Sequence, residues 1–220
     1  MTTNVKELSK QSNSEVVKTR SNARLLVTNM PPNAELQNRI SQFQKELRLL
    51  GGQCHLAARP VELANIILEI VLNANCKLAI IESYIDNNDE IRSTLTKHGI
   101  NAISFQDSQA LTPQFLSKAD VGITHADMAV SQTATVIIRT DRDEDRLASC
   151  LPRVHIAVVS TTRLVEKLTD ATEYLKTNLQ TNEPCVISFV SGPSRTSDIE
   201  MKQVLGVHGP HEVHVILLEQ

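Results

Sequence analysis

Residues 191–210, reading SGPSRTSDIEMKQVLGVHGP, gather the side chains best suited to holding an anion. Arg195 supplies a planar fork of five donors that matches a carboxylate or phosphate. Ser191, Ser194 and Thr196 add hydroxyls, and Gly192 lets the backbone approach a ligand closely. A helix begun near Asp198 and capped by the hydroxyls of Ser194, Thr196 or Ser197 would add free N–H groups and the positive end of its dipole. Asp198, Glu200, His208 and Gly209 lie within reach of the same loop in sequence. The plainer alternative is a capped helix whose Arg195 pairs with an acid. Asp198 suits a helix start whatever the function, because a carboxylate there faces the dipole.

A second constellation is THADMAVSQ, residues 124–132, where His125 and Asp127 flank Ala126. They form an acid–base pair if the turn folds them together; otherwise His125 is a hydrogen-bonded structural residue at a strand end. Thr133, in Thr133-Ala134-Thr135, adds a hydroxyl beside this loop. His208, His211 and His214 recur at every third residue, but Gly209-Pro210 interrupts them and a strand follows, so their rings share no face and no metal site is read there.

Both constellations need strands behind them. CVISFV (185–190) precedes the anion loop and HEVHVILL (211–218) follows it, so the polar window is expected between two core strands. Upstream, Leu36, Ile40, Phe43, Leu47 and Leu50 recur at three and four, predicting an amphipathic helix that ends at Gly51-Gly52. A strand CHLAA follows. Helix and strand then alternate: helix 61–73, strand 77–81, helix 89–98, strand 101–105, helix 113–118, strand 121–124. Such alternation implies right-handed βαβ crossovers and a mostly parallel sheet. Residues 129–140, with a polar break at Ser131-Gln132, read as an antiparallel excursion or an edge; 141–146 is a charged loop or helix start. HIAVVS (155–160) resumes the sheet and 163–179 reads as a helix. In such sheets ligands bind beyond the carboxyl ends of strands, so the two polar loops are expected to meet in one crevice.

Three segments, SKADVGITHADMAVSQTATVII (117–138), LPRVHIAVVS (151–160) and SGPSRTSDIE with GVHGP, closely resemble the lactate utilisation protein C family of the wider LUD-domain group. The resemblance spans roughly residues 50–218. It implies a three-layer α/β/α fold shared with ribose-phosphate isomerases, glucosamine-phosphate deaminases and coenzyme A transferases. It also implies the cluster-free component of a bacterial L-lactate oxidation system, working beside iron–sulfur partner subunits and carrying no redox cofactor of its own. Relatives tend to have Thr-Gly-Thr where this chain has Thr133-Ala134-Thr135. Two other readings stand beside it: an independent enzyme of the sugar-phosphate isomerase or coenzyme A transferase type, and a non-catalytic assembly or regulatory subunit.

Composition narrows the classes. With 22 Lys and Arg against 25 Asp and Glu the formal charge is -3, and no basic stripe appears, which argues against nucleic acid as partner. Aromatics make up 3% of the chain and Trp is absent, leaving little for base stacking. Neither GxGxxG nor a P-loop occurs. Cys54, Cys76, Cys150 and Cys185 have no cluster spacing, and the last three read as reduced core residues. Residues 1–24 are expected to be a polar, flexible segment ahead of one α/β domain over 25–220. With no signal peptide or apolar span, the chain is expected to be cytoplasmic, with no membrane insertion.

Overall fold

The longest β-branched runs of the chain, VHIAVVS and EVHVILL, form neighbouring strands at the heart of the molecule. The computed structural model describes residues 34–82, 85, 89–104, 115, 117–141, 143–178, 185–197, 203–205 and 209–219. Residues 34–220 form one compact unit. The segment 1–24 and half of the helix expected at 113–118 lie outside the described residues.

The strands are β1 (Gln53–Ala57), β2 (Leu78–Ile81), β3 (Asn101–Ser104), β4 (Val121–His125), β5 (Met128–Val130), β6 (Thr135–Thr140), β7 (Val154–Ser160), β8 (Leu164–Val165), β9 (Val186–Val190), β10 (Arg195–Ser197), β11 (Gln203–Leu205) and β12 (Glu212–Leu218). The helices are α1 (Ala34–Leu49), α2 (Pro60–Asn73), α3 (Asp89–Lys97), α4 (Asp143–Cys150) and α5 (Leu168–Asn178). A six-stranded sheet in the order β1-β12-β7-β4-β2-β3 pairs in parallel throughout. A parallel sheet must be covered on both faces, which is why β7 and β12 are apolar nearly end to end. Alternate residues feed two cores. Ile123, Ile156 and Ile216 pack under α2 and α3 with Ile67 and Leu95, while Ala157, Val215 and Leu217 pack under α1 with Phe43 and Leu47. Helices on both faces give the three α/β/α layers that the family resemblance implied.

The first three helices stop in the same way. Gly51 takes φ 86°, Asn75 φ 50° and Gly99 φ 78°. After α1, Gly51 N–H bonds to the Arg48 carbonyl at 3.0 Å and Gly52 N–H to the Leu47 carbonyl at 2.9 Å, which satisfies the orphan carbonyls and turns the chain into β1. On the same face as α1, α4 comes so close to β4 that a Cβ on Gly122 would stand 1.8 Å from the Ala148 carbonyl oxygen.

The antiparallel excursion is present: β5 and β6 form a hairpin inside a second sheet, ordered β8-β5-β6-β9. Four expectations require correction. CVISFV is not a core strand of the main sheet; β9 pairs antiparallel with β6 at the edge of the smaller sheet, with Phe189 half exposed. The helix expected from 163 begins only at Leu168, because Thr161–Arg163 is a short 3-10 turn and Leu164–Val165 pairs with β5. Residues 195–197 pair with 203–205 as an antiparallel ribbon instead of leading directly into a helix cap. Cys150 is exposed at the end of α4, and Cys185 is only partly buried, so neither is a core residue; Cys76 is buried.

Three histidines of this sheet are held below the ordinary imidazole range. His155 is fully buried and shares a 2.8 Å hydrogen bond with the Thr124 hydroxyl. Burial, and secondarily repulsion from His214, pushes its pKa down to about 4. His214 stacks on His55 with ring centroids 5.4 Å apart and Nδ1 3.1 Å from the His55 Nε2. Burial and then the His55 charge lower His214 to about 4 against the opposing pull of Glu212, and burial also lowers His55. These groups are depressed below the unfolded value near 6.5, so their contribution is complete above that pH and is lost as pH falls toward 4. For His155 the loss is about 3 kcal/mol once pH reaches its folded pKa. Urea unfolding at about pH 7 and about pH 4.5 should show this fall in the wild type and a shallower one in His155→Gln; equal falls would remove His155 as a cause. Separately, Gly122→Ala should cost on the order of 2–4 kcal/mol, because the clash is with backbone and only a shift of α4 relieves it.

Candidate functional site

The two polar loops lie at opposite ends of the parallel sheet. His125 closes β4 at its carboxyl end, where its N–H donates to the Glu82 carboxylate at 2.6 Å. Glu82 follows β2 directly, is buried, and continues the ladder by donating its own N–H to the Ile123 carbonyl at 2.9 Å. Asp127 closes the β5–β6 hairpin: its N–H bonds to the Ile137 carbonyl at 2.8 Å and its carboxylate accepts the Arg139 N–H at 2.9 Å. This carboxylate is therefore already engaged in the hairpin.

The anion loop sits at the amino edge. Ser194 N–H donates to the Pro210 carbonyl at 2.9 Å, immediately before β12. Gly209 is pressed against Ser194, since a Cβ on it would stand 3.1 Å from the Ser194 Cβ. A five-residue strand is about 17 Å long, which separates these groups from His125. The single carboxyl-end crevice is thus replaced by two separate ends. The cause is the placement of β9 in the second sheet: its antiparallel run delivers residues 191–195 to the edge where α1 and α4 finish.

Arg195 is exposed, and its Nη2 donates to the Leu50 carbonyl at the C-terminus of α1, passing close over Gly51. A cation at this end satisfies an orphan carbonyl and faces the negative pole of the helix. Neither of the expected roles for Arg195, an anion cradle or an ion pair, accounts for this bond. The backbone of Arg195, Thr196 and Ser197 is committed to Leu205, Val204 and Gln203. The side chain of Thr196, and Asp198, Glu200 and His208, lie outside the described residues. Gly192 takes φ 79° against Leu50, a conformation and a closeness that both require glycine.

The hairpin turn that follows the first loop does meet the start of the second. Ser191 Oγ lies 2.7 Å from Thr135 Oγ1, which lies 2.7 Å from Thr133 Oγ1. These three hydroxyls form a row from the hairpin turn to the end of β9. Two protons fill the two internal bonds; the third goes to the Thr133 carbonyl, 3.4 Å from Thr135 Oγ1, when both ends donate inward, and outward from one end when they do not, while the terminal oxygens keep lone pairs to accept. Ser191 and Thr133 are exposed and Thr135 is buried between them. Such a row can both donate to a carboxylate oxygen and accept from a hydroxyl. Between its members, Ala134 is fully buried at φ 46°. Left-handed backbone therefore occurs at the position where Thr-Gly-Thr was noted for relatives, with alanine bearing it.

Sequence reasoning passed over Thr135 and Glu82. The signal for Thr135 was its spacing of two from Thr133, and for Glu82 its place as the first polar residue after an apolar strand. Among the described residues no group of three or more His, Cys, Asp and Glu is arranged to hold a metal ion, and no helix is long and apolar enough to cross a membrane.

The model of the LUD domain matches residues 40–218. The chain belongs to the LUD domain family. Lactate utilization protein C 1 of Bacillus mycoides is 39% identical over 108 residues, covering 48% of this chain and 46% of that protein. Lactate utilization protein C of Bacillus subtilis is 35% identical over 103 residues, covering 46% and 43% respectively. These matches bear out the resemblance read from the sequence, and the matched stretch spans less than half of those relatives. In fold, this LUD domain is similar to the crystal structure of a DUF162 family protein from Deinococcus radiodurans, with TM-score 0.60, 21% identity, and coverage of 83% of this chain and 98% of that one.

Ala134 tests how tightly this LUD domain specifies its hydroxyl row. Ala134→Gly releases a left-handed alanine at a gain of about 1 kcal/mol but loses a buried methyl and frees the unfolded chain, so the net change should stay within about 1 kcal/mol. Ala134→Val puts a β-branched residue at the same φ and should cost more than about 2 kcal/mol. Urea midpoints of both variants measure the contrast, and a tolerated valine would show that the turn re-forms with another backbone.

Proposed function

We propose that this LUD domain acts in lactate utilisation in the cytoplasm, binding a small 2-hydroxy carboxylate at the row formed by Thr133, Thr135 and Ser191. The observation that carries the reading is the hydrogen-bonded contact of the β5–β6 turn with the end of β9 through those hydroxyls. An outward donor of the row suits a carboxylate oxygen and its free lone pairs suit the ligand hydroxyl. Similarity to proteins named for lactate utilisation supports the substrate class. In this reading the domain binds and presents the acid, while oxidation takes place in iron–sulfur partner subunits that supply the electron carrier. Arg195 then holds α1 and the ribbon in place beside the site.

A ligand that binds only the folded state raises its melting temperature. L-lactate should therefore raise that of the wild type. Ser191→Ala and Thr133→Val should abolish the shift, whereas Arg195→Ala should lower the ligand-free melting temperature and leave the shift intact. A shift lost in Arg195→Ala but kept in Ser191→Ala would transfer the site to the arginine. A shift with phosphate and none with L-lactate would overturn the ligand class.

A second reading is favoured by Glu82, whose buried carboxylate lies beside His125 at the ends of β2 and β4. A glutamate at a strand end is the nucleophile that a coenzyme A transferase chemistry needs: attack on an acyl-coenzyme A thioester would form a mixed anhydride and release the thiolate. Incubation with acyl-coenzyme A and mass spectrometry of the chain, in wild type and Glu82→Gln, decides it. An adduct confined to the wild type establishes the enzyme, and the absence of any adduct removes it.

A further inference from the structure

We infer that a cavity between α1, β8 and α5, apart from the hydroxyl row, is a binding site for a cationic α-amino acid. The cavity measures about 500 Å³ and is lined by Glu35, Asn38, Arg39, Gln42, Glu166 and Asp170, with Val165 at its wall. That volume lies within the range of small-molecule sites. Three carboxylates stand against one guanidinium, so an occupant with net positive charge is favoured, and a simple anion is repelled.

The donors ask for an acceptor as well. Arg39 is fixed by a 2.9 Å bond from Nη1 to the Leu164 carbonyl, and its Nε is buried without a hydrogen-bond partner among the described residues. A guanidinium anchored through Nη1, with Nε buried, is held at a defined angle, and its outer nitrogens are the ones that meet a carboxylate in the cavity. Asn38 and Gln42 place amides on the same helix face, at one turn's spacing. Asp170 is partly occupied, since its carboxylate accepts the Lys167 N–H at 3.0 Å. Glu35, in the first turn of α1, and Glu166 are exposed at the cavity. One ligand satisfies both demands: its carboxylate meets Arg39 and the amides, and its ammonium and a cationic side chain meet Glu35, Glu166 and Asp170.

The lining is also tied to the β5–β6 turn. Ser131 Oγ donates to Gln42 Oε1 at 3.1 Å, and the Ser131 and Gln132 N–H groups donate to the Val165 and Glu166 carbonyls at 2.9 and 3.2 Å. A ligand that draws Gln42 and Glu166 together therefore rigidifies that turn, and amide exchange at Ser131 and Gln132 reports it.

Calorimetric titration of the full chain with L-arginine and with agmatine, which lacks the carboxylate, tests the site. L-arginine should bind at least about tenfold more tightly than agmatine, and slow exchange at Ser131 and Gln132. Arg39→Met should erase the preference over agmatine, and Glu35→Gln, an exposed change that leaves the fold intact, should weaken L-arginine by about tenfold. Equal or tighter binding of agmatine to the wild type, unchanged affinity in both variants, or no heat with either compound overturns the proposal. None of these outcomes bears on the hydroxyl row, which L-lactate probes separately.

Discussion

The structure depends on covering a parallel sheet on both faces. β7 and β12 pair with a strand on each side along most of their length, and any face left open would expose a continuous row of Val, Ile and Ala to water. Two helices suffice on one side. On the other, α1 and α4 cover only parts, and the chain fills the remainder by folding residues 128–140 back as a hairpin that recruits β8 and β9. The second sheet is thus a consequence of the first, and α5 covers its outer surface through Ala171 and Leu175.

That solution determines where polar groups end up. Because β9 runs antiparallel to β6, it carries Ser191 past Thr135 and releases the following residues at the amino edge, among the ends of α1, α4 and the start of β12. Carboxyl-end groups such as His125 and Glu82 remain on the far side. The rule that open α/β sheets bind ligands beyond their carboxyl ends applies to strands of the main sheet. A loop fed by an added antiparallel strand escapes it, and residues 191–195 are such a loop.

Much of the main sheet was legible because its signals are local. Apolar runs of four to seven residues, the three-and-four spacing of Leu36, Ile40, Phe43 and Leu47, and the glycines after α1 and α3 each carry their own physical cause. The assignment of CVISFV to the second sheet was not legible, because an apolar β-branched run says that a strand is buried and nothing about its partner. The same limit hid Arg195. Its fork predicts a demand for an acceptor, and the acceptor proved to be the Leu50 carbonyl, 145 residues away in sequence. Residues 195–197 follow the same limit: Ser and Thr favour helix caps and Thr also pairs well across strands, and the ribbon partner at 203–205 settles which occurs.

The turn at residues 131–134 connects these features. It closes the hairpin that covers the sheet, carries Thr133 into the hydroxyl row, and hangs from Gln42, Val165 and Glu166 at the cavity. Ala134 holds a left-handed conformation there with its methyl group buried against the core beneath α1. A glycine would accept the conformation more readily but would leave the turn free to sample others. Alanine accepts a strain of about 1 kcal/mol and keeps its methyl in the core, so the turn has one packed arrangement instead of several. Since the row needs Thr133, Thr135 and Ser191 within hydrogen-bond distance of one another, restricting that turn is what keeps the three oxygens in register.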